Sequence, residues 1–149
     1  MVSACGESAP KAPAVEELRS PLDQARHDGA LAAAAATAIG IPPQVAAALT
    51  VVATQRTSHA RALATEIARA AGKLVSATSE TSSSSPSPTD PAAPPPAVSD
   101  VIDSLRTSAG EASRLVATTS GYRAGLLASI AASCTASYTV ALVPSGPSI

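Results

Sequence analysis

Apolar positions along this chain recur at helical spacing in several separate stretches, each closed by a breaker. The first signal is Ser20-Pro21-Leu22-Asp23. Serine caps, proline suits the first helical position, and Asp23 places an acid in the first turn. The pattern runs through Leu22, Ala25 and Leu31 into Ala32–Ala36 and predicts a stop at Gly40. Pro42-Pro43 forbids simple continuation and restarts a second helix near Gln44 to Ala71, ended by Gly72. So short a connection makes these two helices antiparallel neighbours.

On the second helix Val45, Leu49, Val52, His59, Leu63, Ile67 and Leu74 form one stripe, with Arg61, Arg69 and Lys73 off it. A third helix is expected near Ala97 to Thr119, its apolar side carrying Val98, Val101, Ile102, Leu105, Ala109, Ala112, Leu115 and Val116. Gly110 inside it marks a place for a kink. Ser120-Gly121 ends it, and a fourth helix follows from about Tyr122 to Leu142, before Pro144. There Tyr122, Leu126, Ile130, Cys134, Tyr138 and Leu142 make one row of larger residues. Beside it Gly121, Gly125, Ser129, Ser133, Ser137 and Ala141 make a row of small ones. A ridge next to a groove predicts close helix packing.

Between the two helix pairs the composition changes abruptly. Ser76 to Pro96 holds ten Ser or Thr and six Pro, cannot bury a core, and reads as disordered or extended. At about 3.1 Å per residue such a segment reaches roughly 65 Å. A 25-residue helix is only about 37 Å long, so the linker crosses a bundle end to end with slack. Hairpin, long crossover, hairpin is the connectivity of ferritin-like bundles. The expected fold is therefore all-α, a four-helix antiparallel bundle of two hairpins, residues 18–75 and 97–143. A leader (1–17), the linker (76–96) and a tail (144–149) complete the chain.

Composition sharpens this. Of 149 residues 35 are alanine, Phe and Trp are absent, and Tyr122 and Tyr138 are the only aromatics. Alanine buries one methyl, so the core must rest on scattered Leu, Ile and Val, with alanine allowing close approach of helix axes. The 10 basic and 11 acidic side chains nearly cancel, and the arginines are scattered, so nucleic acid is not an indicated partner. Ala124 to Val143 is free of charge and long enough to span a bilayer. It is mostly Ala, Ser and Thr, which favours a buried fourth helix in a bundle over an integral membrane helix.

Candidate chemistry is sparse. Bundles that hold two irons project Glu-x-x-His pairs inward, but here Arg56 precedes His59 at the required position. Asp23, His27, His59 and Glu66 are the candidates for a metal or small ligand. The competing reading is a satisfied bundle histidine beside Arg56 and a solvated Glu66. Tyr122, with Arg123 and Tyr138, is a further candidate for a pocket lining, against an ordinary place in a core poor in Phe. Cys134 reads as an inert buried thiol, having no basic neighbour in sequence. Phosphate-binding loops, nucleophile elbows and dinucleotide fingerprints are absent. No cofactor is implied, and a non-enzymatic role is expected.

Val2-Ser3-Ala4-Cys5-Gly6 looks like the lipobox that ends a bacterial lipoprotein signal, although only four residues precede Cys5. With SGYRAGLLASIAASCTASYTVAL and TQRTSHARALATEIARAAG, this leader resembles alanine-rich exported proteins and lipoproteins of mycobacteria and their relatives, grouped with small ferritin-like domains of unknown function. The resemblance implies a helical bundle anchored on the outer face of the cell membrane by a lipid on Cys5, with an envelope protein as a further partner. It carries over no metal ligands. If Met1 is the true start, the chain is cytoplasmic instead.

Overall fold

The computed structural model describes residues 15–72 and 93–143. Cys5, most of the Ser/Thr/Pro linker and the tail from Pro144 lie outside the described residues. Those described form an all-helical bundle: a 3-10 turn at Val15–Leu18, then α1 (Arg19–Ala35), α2 (Pro43–Ala70), α3 (Val98–Val116) and α4 (Gly121–Ala136), the last continued by a π-turn, Ser137–Ala141.

The helix ends follow local chemistry. Pro43 takes the first position of α2, where a missing N–H costs nothing. Gly72 closes that helix with a positive φ of 68°, and Gly40 shapes the α1–α2 turn at 84°. At the start of α3 the Ala97 N–H donates to the Asp100 carboxylate at 3.0 Å. The first helix departs from expectation. Leu18 is already in helical conformation, so the 3-10 turn runs straight into α1 and Ser20 sits inside the helix rather than capping it. Its hydroxyl instead donates to the Glu111 carboxylate on α3 at 2.5 Å. Gly110 introduces no break; α3 runs through it with that position exposed.

α1 packs most closely on α2, and α3 on α4. Ser20 meets Glu111 while Asp28 meets Ser104, so α1 and α3 are antiparallel. Gln55 meets Ser133 while Glu66 meets Arg123, so α2 and α4 are antiparallel as well. It follows that α2 and α3 run in the same direction, and that Gly72 and Val98 lie at opposite ends of the bundle.

Leu18, Leu49, Leu63, Leu105, Leu127, Ile130 and Leu142 are the largest fully buried apolar side chains. Ala25, Ala32, Ala35 and Ala112 are buried between them and bring the axes together. On α4 the buried face is Leu127, Ile130, Ala131 and Cys134, a spacing of three and four. The expected row of larger residues holds only in part: Tyr122 is 66% exposed. Four-residue steps drift by about 40° each around a helix of 3.6 residues per turn, so one straight row cannot stay inward over its whole length. Continued as an α-helix, α4 would bring Ala141 to the core. The π-turn, closed by the Leu142 N–H donating to the Ser137 carbonyl at 3.0 Å, inserts one residue and delivers Leu142 there instead.

Two further expectations for α4 are corrected. The small row is no packing groove along its first half: Gly121, Gly125 and Ser129 are exposed, and a Cβ at Gly125 would meet nothing within 4 Å. Nor is the helix mostly buried. The segment Gly121–Ala141 is long and apolar enough to cross a membrane by length and composition, and 28% of its apolar 18-residue stretch is buried.

Candidate functional site

The stripe of α2 is not purely apolar. Leu49, Val52, Arg56, Ala60, Leu63 and Glu66 are its buried members, while His59, Val45 and Ile67 sit half-buried on its flanks. On α1, Asp28 falls on the buried face between Ala25 and Ala32. The two charges meet at the centre of the bundle, Arg56 Nη2 to Asp28 Oδ2 at 2.9 Å, both side chains essentially without solvent contact.

Asp28 is fully coordinated by donors from three helices. Its Oδ2 also accepts from Ser108 Oγ at 2.6 Å. Its Oδ1 accepts from Ser104 Oγ at 2.5 Å and from Gln24 Nε2 at 2.9 Å. Arg56 spends its guanidinium just as widely. Nη2 donates to Ser108 Oγ at 3.3 Å and Nη1 to Cys134 Sγ at 3.2 Å, so one side chain ties α2 to α1, α3 and α4. Among the described residues its Nε is the one buried side-chain polar atom left without a partner. Such a donor costs about 1–3 kcal/mol.

Arg56 Nη1 also lies 3.1 Å from His59 Nδ1. A guanidinium only donates, so Nδ1 must accept and the ring is neutral, with its proton on Nε2. Burial, and then the Arg56 charge, hold His59 down from 6.5 to about 4. Burial raises Cys134, helped by Asp28 and opposed by Arg56, so its thiol stays protonated at neutral pH.

A second cluster sits where α2 ends and α4 begins. Glu66, 1% exposed at its side chain, accepts a bidentate pair from Arg69 (2.8 and 2.7 Å) and a third bond from Arg123 Nε at 2.7 Å. The Arg69 hydrogen bonds, with those of Arg123 and both charges, lower its pKa against the opposing effect of burial. The reading of a solvated Glu66 is therefore corrected: the carboxylate is a buried pin between two helices.

α2 and α4 touch least of the four neighbouring helix pairs. Toward the π-turn they separate into an apolar groove of about 520 Å³. Ala48, Val51 and Val52 line one wall; Ala136, Val140 and Ala141 line the other. These short side chains do not fill the gap between the two axes. Gln55 and Ser133 bridge it at one end with a 3.4 Å hydrogen bond.

The residues singled out from sequence do not converge on one pocket. Asp23 and His27 are exposed on α1, Tyr122 is exposed at the start of α4, His59 is held by Arg56, and Glu66 by its two arginines. None of them lines the groove. Among the described residues no three His, Cys, Asp or Glu side chains gather as a metal site would need. Tyr138 is half-buried with the Arg106 guanidinium 5.3 Å from its ring centre.

Sequence reasoning passed over Asp28, Gln24, Ser104 and Ser108. The signal was present: a carboxylate spaced three and four from buried alanines, and a serine between Leu105 and Ala112. No family model, curated protein or solved structure matches this chain.

Proposed function

We propose that this protein is a non-enzymatic module of the cell envelope, tethered by a lipid on Cys5, whose bundle binds through the face shared by α2 and α4. One observation carries the binding role. From Gln44 to Gln55 on α2 and from Ala124 to Val143 on α4 there is no charge, yet only 28% of the apolar 18-residue stretch within Gly121–Ala141 is buried and a groove opens between the two helices. An uncharged helix face with an apolar groove between exposed Val51 and Val140 is suited to receive a partner.

The polar core supports the absence of catalysis in this reading. Asp28, Arg56, Glu66 and His59 each hold another protein group, so none is presented to a substrate. The envelope location rests on the Val2-Ser3-Ala4-Cys5 leader and on the resemblance to exported alanine-rich proteins. The alternative of a degenerate ferritin-like bundle holding a metal or small ligand draws less support, because Asp23 and His27 face solvent while Arg56 fills the core beside His59. An integral membrane role is weaker again. α4 would have to withdraw Leu127, Ile130 and Cys134 from α3, whose outer face carries Asp103, Arg106 and Arg114.

The test is the mass of the amino-terminal peptide from the membrane fraction of the native host. A chain beginning at acylated Cys5 is the expected result. An intact Met1 or Val2 in the soluble fraction overturns the tethered reading.

A further inference from the structure

We propose that the seam between α2 and α4 is an acid-sensitive joint, in which protonation of His59 breaks its bond with Arg56 and parts the two helices locally while the α1–α2 and α3–α4 pairs stay packed. This goes beyond the binding role and does not depend on a lipid at Cys5.

One atom carries both links across the joint. Arg56 Nη1 lies 3.1 Å from His59 Nδ1 and donates to Cys134 Sγ at 3.2 Å, so the same nitrogen holds a ring on α2 and a thiol on α4. A guanidinium only donates, so a proton arriving on Nδ1 sets N–H against N–H and cation against cation. Arg56 is not free to retreat, because its Nη2 is fixed by Asp28 at 2.9 Å and both side chains are buried. His59 must therefore move outward. Its departure leaves Nη1 short of an acceptor inside the protein, and such a donor needs water.

The seam is where water enters. The bonds of Gln55 with Ser133 and of Glu66 with Arg123 bracket His59, and the antiparallel register they set places it opposite Ser129 and Ile130. Ser129 is exposed, and α2 and α4 touch least of the neighbouring helix pairs. One turn beyond His59, at Gln55 and Ser133, the apolar groove already separates them.

The surrounding charges do not relieve the clash. Glu66 lies two turns further along α2 and is shared by Arg69 and by Arg123 of α4. Asp28 of α1 is already paired with Arg56. α3 presents the Ser108 hydroxyl beside Arg56, and its Glu111 is bonded to Ser20. The Cys134 thiol of α4 stays protonated through burial. Burial and the Arg56 charge hold His59 at about 4 in the closed seam, against 6.5 once released. A depressed value means that closure is fully favoured above pH 6.5 and loses ground as pH falls toward 4. The open form is therefore roughly twentyfold more populated at pH 5 than at pH 7. Opening uncovers Cys134 and lengthens the groove toward Ile130, so the face the protein offers changes with acidity.

Cys134 reports the opening. In the full chain carrying Cys5→Ser and no lipid, its reaction with dithiodipyridine is followed at pH 7 and pH 5, each rate divided by that of the same chain unfolded in urea. The normalised rate is expected to rise about tenfold or more at pH 5. Its urea dependence should be much shallower than that of global unfolding, because a local opening exposes little surface. His59→Gln, which still accepts from Arg56 but takes up no proton, should react equally at both pH values. Its urea midpoint at pH 7 checks that it is folded; if it is not, the urea dependence of the parent chain decides alone. A rate that does not rise means that His59 swings out without parting the helices, and overturns the proposal. So does a rise with the urea slope of global unfolding, or one that persists in folded His59→Gln. None of these outcomes touches the envelope reading, which the mass of the amino-terminal peptide tests separately.

Discussion

At the residue scale, the Asp28–Arg56 pair is the sharpest feature of this core. Buried ions are expensive to desolvate, and their mutual attraction offsets that cost only when the remaining donors and acceptors are also satisfied. Asp28 meets that condition fully, and Arg56 all but its Nε. Asp28→Ala or Arg56→Ala leaves one buried charge uncompensated and is expected to destabilise the bundle by about 3–5 kcal/mol in urea unfolding. Replacing both with apolar residues of similar volume, Asp28→Leu with Arg56→Met, is expected to cost less than either single change, the remaining cost being the buried Ser108 hydroxyl left without its carboxylate. His59 makes the pH dependence. Its native value near 4 lies below the unfolded 6.5, so its contribution is fully present above pH 6.5 and is lost as pH falls toward 4. Glu66 is likewise depressed, from 4.5, so it acts only further into acid. Between pH 6.5 and 4.5 the fall in stability therefore belongs to His59, and His59→Gln, which still accepts from Arg56, should flatten it. Cys134 should resist an alkylating reagent in the native protein at pH 7 and react once denaturant is added, since only the thiolate attacks.

At the scale of elements, each helix shows how far local rules reach. Gly40 and Gly72 hold positive φ values where a side chain would strain the backbone; Gly72 stops α2 as its position in the sequence implies, whereas α1 already ends at Ala35 and Gly40 shapes the turn that follows. Gly110 is different, an exposed glycine inside an unbroken helix whose added Cβ would lie 3.9 Å from the Arg114 guanidinium at the nearest. Gly110→Ala should therefore stabilise the protein by about 0.5–1 kcal/mol, read from the urea midpoint at unchanged slope. α4 shows where local rules stop. Its periodicity marks a helix to Leu142, yet nothing in a run of Ala, Ser and Thr announces the π-turn at Ser137–Ala141. That turn exists because Leu142 gains more by entering the core than the segment loses in regular hydrogen bonding, a balance that depends on what α3 presents to it.

For the whole molecule, the pairing of α1 with α3 and α2 with α4 sets the character of the surface. Where α1 meets α3, Ser20, Gln24 and Asp28 find hydroxyls and a carboxylate opposite. Where α2 meets α4, the Glu66 cluster pins one end and the other is left apolar and open. Glu66→Gln removes the charge that two arginines share, and is expected to lower stability by about 1–3 kcal/mol at neutral pH, an effect that shrinks in acid.

The amino-acid sequence by itself determined the all-helical class, the boundaries of α2 and α3 to within a few residues, and the thinness of a core resting on leucines among alanines. These follow from helical periodicity, from Gly and Pro as breakers, and from side-chain volume, all of which act within one or two turns of the chain. Only the tertiary structure decided which polar residues are buried together. Asp28 and Arg56 lie 28 positions apart on different helices, and Arg56 and Cys134 lie 78 apart. Their worth as partners depends on the desolvation that packing imposes, which no local pattern encodes. The same holds for the α2/α4 groove, a gap between two helices whose side chains are too short to close it.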